Sequence, residues 1–304
     1  MRIAVTGKKG QVATALLERG AAGGITIVPI GRPEFDLVTP TGAVEAFAAA
    51  KPDVIVSAAA YTAVDKAESE RNLAFAINAA GAGAVAKAAA TIGVPVIHIS
   101  TDYVFDGSKA SAWVETDPVA PLGIYGASKL AGEAAVLAAS ARAVVLRVAW
   151  IHAPFGANFV RTMLRLAESR DRIGVVADQV GAPTSALDIA DGILAVARNL
   201  LEAPGNRHLE GVFHMGAGGP TVSWAGFAEV IFEGSVARGG RRPAVDRIGT
   251  ADYPTAATRP KQSRLESSKL AADHGVTLPD WRWSLDVILD RLLQPRSSFR
   301  KKGL

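Results

Sequence analysis

The chain has 304 residues, 49% of them apolar and 20% charged, with 30 glycines, no cysteine and a formal net charge of +4. That length can bury one large core or two modest ones, and the apolar content excludes a disordered or collagen-like chain. With no cysteine, disulfide scaffolds, zinc–thiolate sites, iron–sulfur clusters and thiol nucleophiles are excluded. The basic runs ARGGRR and RSSFRKKGL carry no interleaved aromatic residues, so the positive balance reads as surface charge rather than a nucleic-acid footprint. The start, MRIAVTGKKG, is too short for a signal-peptide core, and apolar runs such as DVIVSAAA are strand-length, so no membrane span and a cytoplasmic setting are expected.

Along the first half, short β-branched runs alternate with alanine-rich helical stretches. RIAVTG reads as a strand, GQVATALLERG as a helix and ITIVPIG as a second strand. Thr39 and Pro40 read as an N-cap and first helical residue, opening a helix through AVEAFAAAK. DVIVSAAA is the next strand, and ERNLAFAINAAGAGAVAKAAATIG is a long helix closed by glycine. PVIHIST and AVVLRVAW are further strands, with a helix around YGASKLAGEAAVLAAS between them. Near-continuous apolar strands need cover on both faces, so the alternation predicts an α/β fold with a doubly wound parallel sheet of Rossmann type.

After Trp150 the texture changes. NFVRTMLRLAESR and DIADGILAVARNLL read as amphipathic helices, IGVVADQ and GVFHMGA as short strands. From about Arg238 the chain reads as loop-rich, through RGGRRPAV and YPTAATRPKQSRL, before two last helices in SSKLAADHG and SLDVILDRLL. The expected division is a dinucleotide-binding domain over 1–150, with the rest of the sheet and a smaller substrate-binding lobe over 151–304.

Three motifs carry chemistry. Gly7-Lys8-Lys9-Gly10-Gln11-Val12-Ala13 joins the first strand to the first helix, where backbone approach and free N–H groups suit a pyrophosphate. Tyr125 and Lys129 stand four apart on one helix face, a spacing that lets an ammonium lower the pKa of a phenol for acid–base work. Thr101 and Asp102 in STDYVFDG end a strand, the side of a doubly wound sheet where ligands sit. Read alone, these are a tight turn, a solvated helix face and a turn cap. The five histidines are scattered and read as structural or surface groups, and no metal-ligand spacing is present.

Together with KPDVIVSAAAYTAVDKAESE, HISTDYVFDG, YGASKLAGE, RVAW, NFVRTMLRLA, DQVGAPT and YPTAATRPKQSRL, these motifs make the chain resemble the dTDP-4-dehydrorhamnose reductases of the extended short-chain dehydrogenase/reductase superfamily. The resemblance runs nearly end to end, leaving unmatched only the basic tail after about Pro295. It implies NAD(P)H-dependent reduction of the C4 keto group of a dTDP-4-dehydro-sugar to dTDP-L-rhamnose. It also implies roles: Tyr125 as proton donor, Lys129 as the lysine that holds the nicotinamide ribose, and Thr101 as the hydroxyl of that triad. Asp102, Trp150 and Arg259 correspond to substrate contacts. Gly7, Gly10, Gln11 and Val12 correspond to the pyrophosphate turn, Asp36 and Leu37 to the adenine side, and Ala60, Tyr61 and Thr62 to a loop beside the cofactor. Ala13 stands where many relatives carry glycine. Arg32, with no acidic residue at the ribose position after strand two, suits a 2′-phosphate, so NADPH is preferred with NADH also used. Some relatives pair through a divalent cation, so Mg2+ and a homodimer stay open. Two other readings stay open too: a reductase or epimerase of another nucleotide sugar, and a non-catalytic partner like the regulatory β subunit of methionine adenosyltransferase.

Overall fold

A computed structural model describes residues 1–293; the basic tail singled out above lies outside them. In chain order the first half contains β1 (Arg2–Thr6), α1 (Gln11–Ala22), β2 (Thr26–Ile30), α2 (Ala43–Ala50), β3 (Val54–Ser57), α3 (Val64–Ala67), α4 (Arg71–Phe75), α5 (Ala82–Ile92), β4 (Val96–Thr101), α6 (Ile124–Ala139) and β5 (Ala143–Val148). There follow β6 (Ile151–His152), α7 (Phe159–Ala167), β7 (Arg172–Val176), β8 (Val180–Gly181), β9 (Thr184–Ser185), α8 (Ala186–Glu202), β10 (Gly211–His214), β11 (Val222–Ser223), α9 (Trp224–Val236), β12 (Ala244–Ile248), α10 (Ser268–His274) and α11 (Trp281–Leu293).

Six strands form one parallel sheet in the order β10-β5-β4-β3-β1-β2. Every residue of β3, β4 and β5 is buried, because helices cover both faces. On one face Val12 and Leu16 of α1 pack with Ile189, Ile193 and Leu200 of α8. On the other, Phe47 of α2, Val85 and Ala89 of α5 and Val136 of α6 fill the core. The strand order reverses between β1 and β3, which opens a crevice at their carboxyl ends. Thr6 braces that point: its hydroxyl oxygen accepts the amides of Ala58 (2.9 Å) and Ala59 (2.8 Å). The second half donates β10 to the sheet edge and builds a separate core from α7, α9 and α11, with Phe227, Phe232, Trp281 and Leu285 at its centre.

Several sequence expectations are corrected. The second helix begins at Ala43, after Gly42 in the left-handed region (φ 74°), so Thr39 and Pro40 lie in the preceding loop and do not cap it. Gly42 itself stands at the N-cap, in the left-handed conformation open to glycine and with no side-chain cap. The segment read as loop from Arg238 contains β12, which pairs in parallel with β7; its partner lies some seventy residues back, and its burial alternates too weakly to show as a pattern. The helix α9 had no assignment at all. Helices α4 and α5 are joined through a wider helical turn at Ala76–Gly81 into a continuous run of 22 residues, 71–92, long and apolar enough by those measures to cross a membrane, contrary to the expectation that no stretch reaches that length. Val85, Ala86, Ala88 and Ala89 of this helix are fully buried in the core described above, which accounts for its apolar composition. It ends, as expected, at a left-handed glycine, Gly93.

Candidate active site

The crevice at the strand ends encloses about 690 Å³. Its floor is the β1–α1 turn. Gly7 has φ +91°, and a Cβ there would come 3.2 Å from the Cβ of Ala59, so the turn needs glycine. A Cβ on Gly10 would meet nothing within 4 Å, and it would project into open space. The first turn of α1 carries no acidic side chain and no side-chain cap, leaving its N–H groups free at the crevice. A shallow glycine cradle at an uncapped helix start fits a dinucleotide pyrophosphate. Gln11 and Val12 line the same wall, and Gln11 Oε1 accepts from Asn158 Nδ2 (3.1 Å), tying the turn to the start of α7.

The opposite wall brings Thr101, Asp102, Tyr125, Lys129 and Trp150 together, as the sequence reading expected. Thr101 ends β4 and caps the short turn after it, accepting from the Tyr103 amide (3.2 Å), while its side chain also lines the crevice. Its hydroxyl donates to Asp102 Oδ1 at 3.1 Å. Asp102 is buried and its Oδ2 has no hydrogen-bond partner; loss of hydration pushes its carboxyl up to about 6, against the neighbouring Ser263 and Thr101 hydroxyls. Tyr125 stands in the first turn of α6, edge-on to the ring of Tyr103 with centroids 5.5 Å apart. That approach of α6 needs glycine at 126, where a Cβ would come 2.1 Å from the Tyr103 carbonyl oxygen.

The charge relation between Tyr125 and Lys129 differs from the spacing argument. Burial raises the phenol to about 12, a hydrogen bond with Thr101 pulls it down, and the Asp102 charge adds to the rise. Lys129 Nζ does not hydrogen-bond the phenol; it donates to the Ile99 carbonyl (2.7 Å) and meets His98 Nε2 at 3.1 Å. Its own pKa falls to about 8 through burial, opposed by the Glu133 carboxylate. Four-residue spacing sets a shared face, but the buried acceptors decide where a long flexible amine points.

Trp150 takes φ +49°, an uncommon conformation for so large a residue. Its indole stacks on Trp224, centroids 3.5 Å apart and planes 11° from parallel, and a Cβ on Gly181 would come 2.9 Å from the ring. Trp224 also lines the crevice. Nothing in the sequence joins the two indoles, which come from different parts of the chain. Asn78 is likewise unmarked in an alanine-rich stretch. A wide turn over Ala76–Gly81, between α4 and α5, holds it; its side chain grips both backbone groups of Tyr61 and donates to Ser128 Oγ, fastening the loop after β3 onto α6.

With this geometry in place, the likeness to known proteins is specific. Residues 1–294 match the family model described as the RmlD substrate binding domain. The chain belongs to that family. It is 48% identical over 293 residues to the dTDP-4-dehydrorhamnose reductase of Sinorhizobium fredii (strain NBRC 101917 / NGR234), covering 96% of this chain and 98% of that one. Among solved structures, the dTDP-4-dehydrorhamnose reductase of Clostridium acetobutylicum superposes with a TM-score of 0.87 at 34% identity, covering 96% and 99% of the two chains. That of Bacillus anthracis str. Ames, solved in complex with NADP, superposes with a TM-score of 0.86 at 34% identity, covering 94% and 98%.

In this RmlD-family chain the remaining candidates fall around two neighbouring cavities. One, of about 510 Å³, continues from the glycine turn past Arg32, Asp36, Leu37 and Ala60, with Lys8 and Lys9 beside it. Arg32 is exposed and pairs with Asp36 at 3.5 Å, while Asp36 Oδ1 accepts from the Val38 amide. Lys8 Nζ donates to Glu34 and to the Arg32 carbonyl. Both lysines line this cavity as well as the main crevice. Of the loop after β3, Ala60 and Thr62 line the main crevice, whereas Tyr61 turns outward and donates from its hydroxyl to Glu70 (2.6 Å). Arg259 lies outside the main crevice. It borders the second cavity, of about 360 Å³, with Tyr103, Trp224 and Gln179, and its guanidinium grips Asp65 through both carboxylate oxygens (3.1 and 2.7 Å). Among the described residues, no group of three or more His, Asp or Glu side chains lies close enough together to hold a metal ion.

Proposed function

We propose that this protein is an NAD(P)H-dependent reductase of the C4 keto group of dTDP-4-dehydro-L-rhamnose, giving dTDP-L-rhamnose. The reading rests on membership of the RmlD family together with Thr101, Tyr125 and Lys129 meeting at the mouth of one crevice beside a glycine cradle. Residues 1–150 would supply the dinucleotide site, and the described part of the rest, to 293, the remaining sheet elements interleaved with the sugar-nucleotide lobe. Gly7, Gly10, Gln11 and Val12 would hold the pyrophosphate, and Leu37 and Ala60 the adenine side. Lys8, Lys9 and Arg32 form a basic rim that favours a 2′-phosphate, and so NADPH over NADH.

When bound, a reduced nicotinamide supplies the hydride. As the carbonyl is reduced, negative charge gathers on its oxygen. Tyr125, whose phenol stays protonated well above neutral pH, delivers its proton there. The Thr101 hydroxyl, turning its one proton from Asp102 to the substrate, would donate to the same oxygen, and the Lys129 ammonium stabilises the phenolate left behind. Trp150, held by Trp224 and Gly181, offers an aromatic face to the sugar. Asp102 binds a sugar hydroxyl; Arg259, paired with Asp65 beside the adjoining cavity, would meet the diphosphate only where the substrate extends into that cavity. The test is to add dTDP-4-keto-6-deoxyglucose, a 3,5-epimerase and NADPH, follow the loss of nicotinamide absorbance and identify the sugar. Tyr125→Phe should still bind cofactor but lose about 10²–10⁴-fold in kcat, the usual scale for a general acid. Turnover near the unmodified level in that variant would remove the tyrosine from the chemistry.

A further inference from the structure

Beneath the crevice, on the α6 side of the sheet, a buried polar ladder backs Lys129 with residues that have no part in the proposed reduction. His98 and Ser100 share one face of β4, two residues apart, and meet Lys129 and Glu133, four apart on α6. Ser100 Oγ donates to Glu133 Oε1 (2.5 Å), and Glu133 is clasped by Arg147 of β5 through both carboxylate oxygens (2.9 and 2.7 Å). His98 is 1% exposed. Position 132 of α6 is glycine because a Cβ there would strike the Asn78 carbonyl oxygen at 2.1 Å; the His98 ring lies beside it in ordinary contact. Nε2 faces Lys129 Nζ at 3.1 Å, and Nδ1 faces Ser57 Oγ at 3.1 Å on the neighbouring strand, where Ser57 and His98 are paired in register.

Counting protons defines the arrangement. A lysine ammonium has three N–H donors and no acceptor. One goes to the Ile99 carbonyl. A second, toward His98, requires Nε2 to be the unprotonated ring nitrogen, so Nδ1 carries the proton and donates it to Ser57 Oγ. Burial and the Lys129 charge both keep the imidazole neutral, which is the state this needs. A single N–H then remains, and Lys129 lines the crevice.

We propose that His98, its tautomer set by Ser57, is a positioning residue that anchors the Lys129 ammonium from below, so that its one remaining N–H enters the crevice. This rests on the reading of Lys129 as the group that contacts cofactor ribose. The ionisable groups facing the pair are Glu133 on α6 and Arg147 on β5, with Tyr125 and Asp102 at the crevice end. An acceptor lone pair on a buried ammonium also holds its proton, so losing the ring should release it at lower pH.

The experiment follows the Lys129 side chain in the full-length protein by NMR with 13Cε-labelled lysine, alongside the pH dependence of cofactor KM and kcat. In the unmodified protein Lys129 should titrate near pH 8. In His98→Leu the midpoint should fall by about one unit, lowering the ammonium fraction at pH 8 about fivefold. Cofactor KM should then rise several-fold at pH 8 and little at pH 6. His98→Gln, which keeps a carbonyl acceptor, should restore most of the midpoint. Should His98→Leu not fold, Ser57→Ala, which frees the tautomer, should move the midpoint the same way by a smaller amount. A lower melting temperature with an unmoved Lys129 midpoint would overturn the proposal, and so would failure of His98→Gln to restore it. Failure of the unmodified protein to reduce the sugar nucleotide would count against the function instead, because the lysine titration is read without turnover.

Discussion

Asp102 is a carboxyl whose burial should cost stability, and its removal offers a measurable gain. Its pKa rises from 3.8 to about 6, first through lost hydration, with its Oδ2 unpartnered in the interior. The native state therefore binds the proton more tightly than the unfolded chain. The favourable term is fully present below about pH 4 and disappears as pH climbs through 6. A rise of roughly two units corresponds to about 3 kcal/mol of penalty once the group is ionised in both states, and to about 1 kcal/mol near pH 4.5. Asp102→Asn keeps the shape and the acceptor for Thr101 while removing the titration. Any cost of burying the new amide is the same at every pH, so the pH dependence of the difference isolates the ionisation. We expect the variant to gain about 2 kcal/mol relative to the unmodified protein between pH 4.5 and pH 8, on the order of 5 °C in melting temperature for a chain of this size. Calorimetry of both proteins without ligand across that range checks it. A melting-temperature difference that stays flat with pH would refute the account of Asp102 as a desolvated, destabilising carboxylate. On the proposed role of Asp102 in binding the sugar, the same variant should also lose activity.

Three further outcomes follow from the geometry. Arg147→Met strands the buried Glu133 carboxylate with only its Ser100 bond, and should cost about 3–5 kcal/mol in urea unfolding; adding Glu133→Gln should recover part of it. Gly126→Ala forces a Cβ against the Tyr103 carbonyl and must shift the start of α6, so kcat should fall more than the melting temperature warrants, checked by steady-state kinetics beside thermal denaturation. Arg32→Glu places a negative charge where a 2′-phosphate would sit. NADPH KM should rise about tenfold while NADH KM changes little, and equal effects on both would place the 2′-phosphate elsewhere.

Much of the molecule is written locally. The run VIHIST can be buried on both faces only inside a covered sheet, and Gly7 and Gly10 mark a turn that leaves backbone bare at the crevice. The placement of Thr101, Asp102, Tyr125 and Trp150 on one crevice also follows from the strand–helix alternation, because a doubly wound sheet puts all its strand ends on one side. Recognition of the family came from such stretches, and the comparisons bear it out.

Other features arise only on folding. Lys129 shares a helix face with Tyr125 because of spacing, yet its amine turns to His98, thirty-one positions away, and the phenol rises where a neighbouring cation was read to lower it. Arg259 is held by Asp65 across 194 positions, and Trp150, between β5 and β6, by a tryptophan from α9. Strand β12 is a strand because β7 lies beside it. Periodicity, caps and turns act over a few residues, so a sequence can state them. Desolvation, the aim of a long side chain and the pairing of a weak strand depend on which distant segments arrive at the same place, and that is settled only when the sheet and its second lobe close.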